Sequence, residues 1–270
     1  MHYMRDIKIM TYNMLHAPGD RTQRLSAIIK ESGADVVAAQ EVDDPTTMAK
    51  IAAECGMAMV IGTSNGPESD GESDDEPPQE NLAVLSKLPI ARMVVHPGDR
   101  SIMFRPVLEV WVRGPSSGRV IGLFVVHLRA VPGPPGEQFR MREASAVQAV
   151  LSDRETPHIL LGDFNAWLPG QAEAWGKVES WAPHLPDDHR AAVQGKVLGL
   201  FLNAGYKDAL DTGPGRRPGS LRNVDGPGVD HILVTPNLLP WVTGSKMLRS
   251  EAASLASDHY PSWITVACEV

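Results

Sequence analysis

The chain alternates short apolar runs, closed by polar turns, with longer stretches whose apolar positions recur every three to four residues. Ile7–Tyr12 predicts an opening strand that breaks at Asn13. Thr22–Ser32 predicts a helix with Leu25, Ile28 and Ile29 on one face and Gly33 past its end. DVVAA at 35–39 predicts a short buried strand that delivers Gln40 and Glu41. Asp44 before Pro45 marks an N-cap followed by proline at the first helical position; the helix uses Met48, Ile51 and Ala52 and stops at Gly56. Further strands are predicted at Leu82–Leu85, Ile159–Leu161, Val229–Thr235, Trp241–Leu248 and Ser262–Val266. Arg105–Arg113 and Val120–Val126 read as a hairpin around GPSSGR. Helices are predicted at about Glu137–Asp153 and at Val197–Asn203, the latter closed by Gly205. Ala166–Arg190 has weak periodicity and reads as a decorated loop. No internal repeat, long linker or compositional border divides the chain, so a single domain over 1–270 is expected.

Composition changes the picture in three places. No apolar run reaches the ~18 residues of a membrane-spanning helix, and MHYMRDIKIMTYN, with no basic region before a long apolar core, is expected to lead into a strand rather than to be a signal peptide. Cys55 and Cys268, far apart, offer neither metal-ligand spacing nor a disulfide framework, so a cytoplasmic location is expected. The net charge of −8 is concentrated: the segment 65–81 carries Glu68, Asp70, Glu72, Asp74, Asp75, Glu76 and Glu80 and no base, leaving the body near neutral. Asp70, Glu72 and Asp74 alternate as in a calcium loop. However, Asp75 stands where that loop needs glycine and Asn81 where it needs glutamate, so a solvated acidic loop is expected. The sequence shows no strong basic stripe, which argues against tight non-specific binding of duplex DNA.

The candidate chemistry lies at strand ends. Asn13, Glu41, His127, Asp163 with Asn165, and Asp258 with His259 each follow or terminate an apolar run, and Asp230 opens or lies within another. Open sheets gather ligands at strand ends, so these groups are expected to converge. Glu41 is a hard oxygen ligand suited to Mg²⁺ or Mn²⁺, and Asn13 can support the metal or a phosphoryl oxygen without adding charge. Asp163 can orient water or contact the metal, and Asn165 can donate to phosphoryl oxygens as charge develops. His259 can take a proton if a carboxylate fixes its tautomer, and Asp230 is the candidate. His127 can bind a phosphate oxygen or protonate the leaving group. Singly, each residue has a plainer reading as a turn, cap or surface group. Their co-occurrence carries the argument.

The motifs TYN at 11–13, QE at 40–41, NLAVLSKLPI at 81–90, HL at 127–128, GDFNA at 162–166, VDHI at 229–232 and SDHYP at 257–261 stand in order along the chain. In this the chain resembles the endonuclease/exonuclease/phosphatase superfamily of metal-dependent phosphoesterases, which includes deoxyribonuclease, abasic-site endonuclease and sphingomyelinase-like members. The resemblance implies an α/β (α+β) four-layer α/β/β/α sandwich of two packed mixed β-sheets with the site at one end. It implies Glu41 as principal metal ligand with Asn13 and Asp258 close by, and Asp163 and Asn165 handling water and phosphate. It also implies a His259–Asp230 pair, with His127 binding phosphate or acting as acid. Hydrolysis would be in-line attack of water on phosphorus without a covalent intermediate. His231 after the acid, the acidic loop, and the stretch with Trp167, Trp175 and Trp181 are departures from the family pattern.

Three functions compete. The first is a phosphodiesterase or phosphatase acting on a small molecule or headgroup, with Arg129 and Trp167 as candidate substrate contacts. The second is a nuclease on single-stranded, abasic-site or RNA substrates, served by a short basic track of Arg129, Arg140 and Arg142. The third is a catalytically silent binding module. No membrane insertion and no obligate protein partner are indicated.

Overall fold

The structure is a computed structural model that describes residues 4–17, 19–63, 81–98, 101–114, 120–130, 133–152, 156–171, 195–210, 219–222 and 227–269. In chain order its elements are β1 (Met4–Asn13), α1 (Thr22–Ser32), β2 (Val36–Val42), α2 (Pro45–Cys55), β3 (Ala58–Gly62), β4 (Asn81–Ser86), β5 (Ile90–His96), β6 (Val107–Arg113), β7 (Val120–His127), α3 (Gly133–Leu151), β8 (His158–Asp163), α4 (Lys196–Asn203), β9 (Lys207–Asp208), β10 (Asp230–Val234), β11 (Val242–Met247), α5 (Glu251–Ala256) and β12 (Ser262–Glu269). The acidic segment up to Glu80, the turn at 115–119 and most of the expected loop, with Trp175 and Trp181, lie outside the described residues.

The strands form two six-stranded sheets, ordered β11-β12-β1-β2-β4-β3 and β5-β6-β7-β8-β10-β9. Each contains one parallel pair, β1 with β2 and β7 with β8, joined by helices α1 and α3 respectively. Parallel neighbours cannot be linked by a tight hairpin, which is why a helix crosses over between the strands of each of these pairs.

Side-chain alternation sorts the strands into layers. Ile7, Ile9, Val36, Ala38, Leu123, Val125, Ile159, Leu161, Ile232 and Val234 meet in a core between the sheets. The alternate residues of the first sheet, such as Met10, Tyr12, Val37 and Ala39, pack with Leu25, Ile28, Met48, Ile51 and Ala253 of α1, α2 and α5. On the second sheet Phe124, Leu160 and Leu233 pack with Val147, Val197 and Phe201 of α3 and α4. The result is the α/β/β/α order that the family resemblance implies. Strands buried on both faces explain the continuous apolar runs.

Most elements fall where the periodicity places them, within a few residues. Asp44 caps α2, accepting from the backbone N–H of Thr46 at 2.8 Å and Thr47 at 3.1 Å. β3, β5, β9 and α5 were not legible. β3, β5 and β9 are sheet-edge strands, where exposed residues such as Ala58 and Arg92 blur the pattern. Among the described residues no helix is long and apolar enough to cross a membrane. Cys55 is a half-buried free thiol.

Candidate active site

The same two-residue period that builds the inter-sheet core also builds the site. Continuing Ile7, Ile9 and Thr11 leads to Asn13; Ile121, Leu123 and Val125 lead to His127; Ile159 and Leu161 lead to Asp163; and Val234 and Ile232 lead back to Asp230. All four therefore share the inward parity of their strands and arrive at one end of the sandwich. Asp230 lies opposite Asp163 in the β10–β8 register, and His127 lies opposite Asp163 in the β7–β8 register.

Glu41 does not follow this rule. Counting from Val36 and Ala38, the inward residue of β2 is Gln40, so a regular strand would turn Glu41 toward the helices. The β2–β4 register slips between Ala39 and Val42, and Glu41 adopts a left-handed φ of 56°. This conformation costs a non-glycine residue about 1–3 kcal/mol and is tolerated where the surroundings over-determine it. It re-aims the carboxylate into the site.

Asn13 is the hinge of the arrangement. Its Nδ2 donates to Glu41 Oε1 at 2.8 Å and to Asp163 Oδ2 at 3.0 Å, while its Oδ1 accepts from the Leu15 N–H at 3.0 Å. Asp163 Oδ1 accepts from the Asn165 N–H at 2.8 Å. His127 Nε2 stands 3.6 Å from Asp163 Oδ2 and 3.9 Å from Glu41 Oε1. Glu41, His127 and Asp163 thus present ligand atoms all within 4.8 Å of one another, a donor set that fits a divalent cation; Asp163, Asp230 and His259 form a second such group. Asp258 joins neither. It is half-buried beside Ser257 Oγ, and its charge is felt at Arg21, Tyr12 and His259.

Asp230 Oδ2 and His259 Nδ1 are 2.8 Å apart, and His259 Nε2 lies 3.7 Å from Asp163 Oδ2. Burial alone would push the His259 imidazole down, but the charge and hydrogen bond of Asp230, with Asp163 and Asp258, raise it to about 10. For Asp230, burial is outweighed by His259 and by Ser220, and its carboxyl is held below the usual range. Burial and the charge of Asp230 push Asp163 up. His127 is pushed well down by burial and by the cations Arg105 and His259, which keeps its ring neutral. In this site one imidazole is raised by its carboxylate partner and the other lowered by burial.

The strand-end count missed several supporting groups. Ser220 is fully buried; its hydroxyl takes the N–H groups of Val229 and Asp230, and its carbonyl takes the N–H of Tyr260. Ser257 Oγ donates to the Asn13 carbonyl at 2.8 Å and accepts from the His259 N–H, tying the SDHYP turn to β1. Arg105 is buried behind His127, whose carbonyl it reaches at 3.4 Å, and burial lowers its guanidinium to about 10 against the charges of Asp163, Glu143 and Glu41. Arg21 donates to the carbonyls of Leu15 and Ala256. Arg105 resembled a strand's first residue, Arg21 a helix approach and Ser220 a loop polar. Nothing local distinguishes them.

Gly162 shows why this motif begins with glycine. Its φ is 145°, and a Cβ there would collide with the Val126 carbonyl oxygen. Only a residue without a side chain lets β8 approach β7 this closely before Asp163. Arg129 is half-buried, its guanidinium 4.4 Å from the Phe139 ring and 5.5 Å from Phe104, and Trp167 is half-buried two residues past Asn165. Arg140 is buried and donates to the Arg129 carbonyl at 2.8 Å, with Glu137 at 3.3 Å. It holds the loop rather than extending a basic track.

A model of the Endonuclease/Exonuclease/phosphatase family matches residues 10–259. The chain belongs to this family. Its fold is shared with an AP endonuclease from Archaeoglobus fulgidus, at TM-score 0.68 and 17% identity, over 96% of this chain and 98% of that one. It is also shared with a 3′ phosphatase from Neisseria bound to a product DNA hairpin, at TM-score 0.68 and 19% identity, over 96% and 98%. The catalytic domain of human Nocturnin with a bound sulfate matches at TM-score 0.67 and 16% identity, over 100% and 97%. At these identities the likeness establishes the sandwich. A search of curated proteins returned no match. Members of this family are hydrolases that act on phosphate esters, nucleases among them.

Proposed function

We propose that this chain hydrolyses a small phosphate ester, a metabolite or headgroup, with Mg²⁺ or Mn²⁺. The observation that carries the reading is Asn13 joining Glu41 and Asp163 at the mouth of the sandwich, with the Asp230–His259 pair closing the far side of Asp163. Glu41 would hold the cation, with His127 and Asp163 within reach and the Asn13 amide, bonded to both carboxylates, beside it; Asp258, which the resemblance puts near the metal, stands outside that donor set. A bound cation would polarise the phosphoryl group and neutralise charge that develops on it.

The residues divide the remaining work. Asp163 stands between donors with an acceptor-only carboxylate, suited to orienting the attacking water and taking its proton. The cationic His259 ring, locked by Asp230, presents Nε2–H to a phosphoryl oxygen. Asn165 spends one amide hydrogen on the Leu128 carbonyl at 2.9 Å, which fixes the amide plane and leaves the other for substrate. His127, held neutral, is suited to a metal or phosphate oxygen. Arg129 and Trp167 border the substrate side.

The small-ester reading is favoured over a nuclease because Arg140 is committed to the backbone of its own loop, which shortens the cationic track. The deciding experiment is Mg²⁺- and Mn²⁺-dependent hydrolysis of phosphomonoesters and phosphodiesters, beside supercoiled plasmid and a single-stranded oligonucleotide, with His259→Ala as control. Turnover of the small esters alone, lost in the variant, is expected. Cleavage of nucleic acid lost in the variant would establish the nuclease instead. No turnover, with no cation binding by isothermal titration, would leave a binding module.

A further inference from the structure

We infer that His231 and Asp208 form a latch that positions Asn165 for the phosphoryl group, an inference that rests on the role proposed above for Asn165. His231 follows Asp230 in β10, so the two side chains point to opposite faces of the sheet: Asp230 into the site, His231 toward the helices. There His231 is fully buried, edge-on to Phe164 at a centroid distance of 5.6 Å. Its Nδ1 lies 2.7 Å from Asp208 Oδ2, and its Nε2 lies 2.9 Å from the carbonyl oxygen of Ala166.

Both neighbours of the ring are oxygen acceptors. A carbonyl only accepts, so Nε2–H donates to Ala166 while Nδ1 faces Asp208, and the ring is held from both ends. Asp208 is itself fixed, since Oδ1 accepts from the Leu210 N–H at 3.0 Å and its backbone pairs with Leu233 of β10.

Ala166 is the residue after Asn165. Asn165 has a left-handed φ of 46°, and its own N–H and amide are tied to Asp163 and Leu128. The Ala166 carbonyl is the third anchor of this turn and comes from the helix side, where no substrate reaches. Without it the turn can relax out of its left-handed conformation and carry the amide away from the phosphoryl group. His231 and Asp208 are therefore positioning residues that act through Asn165.

The test is a double-mutant cycle on the metal-loaded protein, with p-nitrophenyl phosphate and bis(p-nitrophenyl) phosphate as probes and Tm as a folding control. His231→Gln and Asp208→Asn are each made alone and with Asn165→Ala. The expected result is a loss in kcat on the order of 10- to 100-fold for His231→Gln, with KM little changed. Asp208→Asn should move the same way by less, and neither should add to the loss already produced by Asn165→Ala. Equal losses in both backgrounds, or unchanged kcat in a folded His231→Gln variant, would overturn the latch alone. Full activity in Asn165→Ala would overturn the role of Asn165 beneath it, and the latch with it. Should His231→Gln fail to fold, the Asp208→Asn cycle reads the same coupling.

Discussion

Asn13 and Asp163, 150 residues apart and in different sheets, meet through a 3.0 Å hydrogen bond at the mouth of the sandwich. The same amide nitrogen also holds Glu41, so one neutral group separates two carboxylates. Asn13→Ala should leave Glu41 and Asp163 facing each other without the amide that bridges them. A loss of about 1–3 kcal/mol in urea unfolding of the metal-free protein is expected. Mg²⁺ or Mn²⁺ should recover more stability in this variant than in the parent. Equal recovery in both would show that Glu41 and Asp163 do not share a cation.

The Asp230–His259 pair predicts a pH dependence of stability. His259 is raised to about 10, so its stabilisation is complete below the ordinary histidine range near pH 6.5 and is lost as pH climbs toward 10. Asp230 is lowered, so its share is present above the ordinary aspartate range and is lost only in acid. Thermal unfolding of the parent should therefore weaken between about pH 7 and 10, and Asp230→Asn should flatten that slope. The same variant should lower kcat by about 10²- to 10⁴-fold. An unchanged slope would mean that the pair is not ionised.

The left-handed backbone of Glu41 sets up a comparison between two small residues. Glu41→Ala and Glu41→Gly both remove the carboxylate, and both should lose most activity, with excess Mn²⁺ restoring part of it. Alanine keeps the steric cost of φ 56° and glycine does not. Glu41→Gly should be more stable than Glu41→Ala by about 1 kcal/mol in metal-free unfolding. The reverse order would show that the bulge straightens once the carboxylate is gone.

Gly162→Ala should be far more damaging than its size suggests. The added methyl meets the Val126 carbonyl oxygen, part of a backbone that cannot swing aside. A loss of more than about 2 kcal/mol, or failure to express in soluble form, is expected. Near-parental stability would mean that β7 and β8 separate easily at the site.

How much of this was legible in the sequence follows from the range of each interaction. The inter-sheet core could be read because alternation along a strand is local, and the parity of Asn13, His127, Asp163 and Asp230 follows from it. The Asp44 cap on α2 was equally local. Glu41 was recognised by its residue type and its place after an apolar run, but its direction depends on a bulge against β4 that the period of β2 contradicts. Arg105, Ser220 and the His231–Asp208 contact could not be read as parts of the site. Each acquires its role from a partner distant in sequence, and neither propensity nor spacing carries that information.

The sequence by itself determined which residues line each strand face and which polar groups stand at the ends of buried strands, because these follow from a two-residue period and chain order. Only the tertiary structure decided which of those ends meet, that Glu41 turns inward, and which imidazole is raised and which lowered. Those outcomes depend on distances between separate strands and on burial, and both arise only when the two sheets pack face to face.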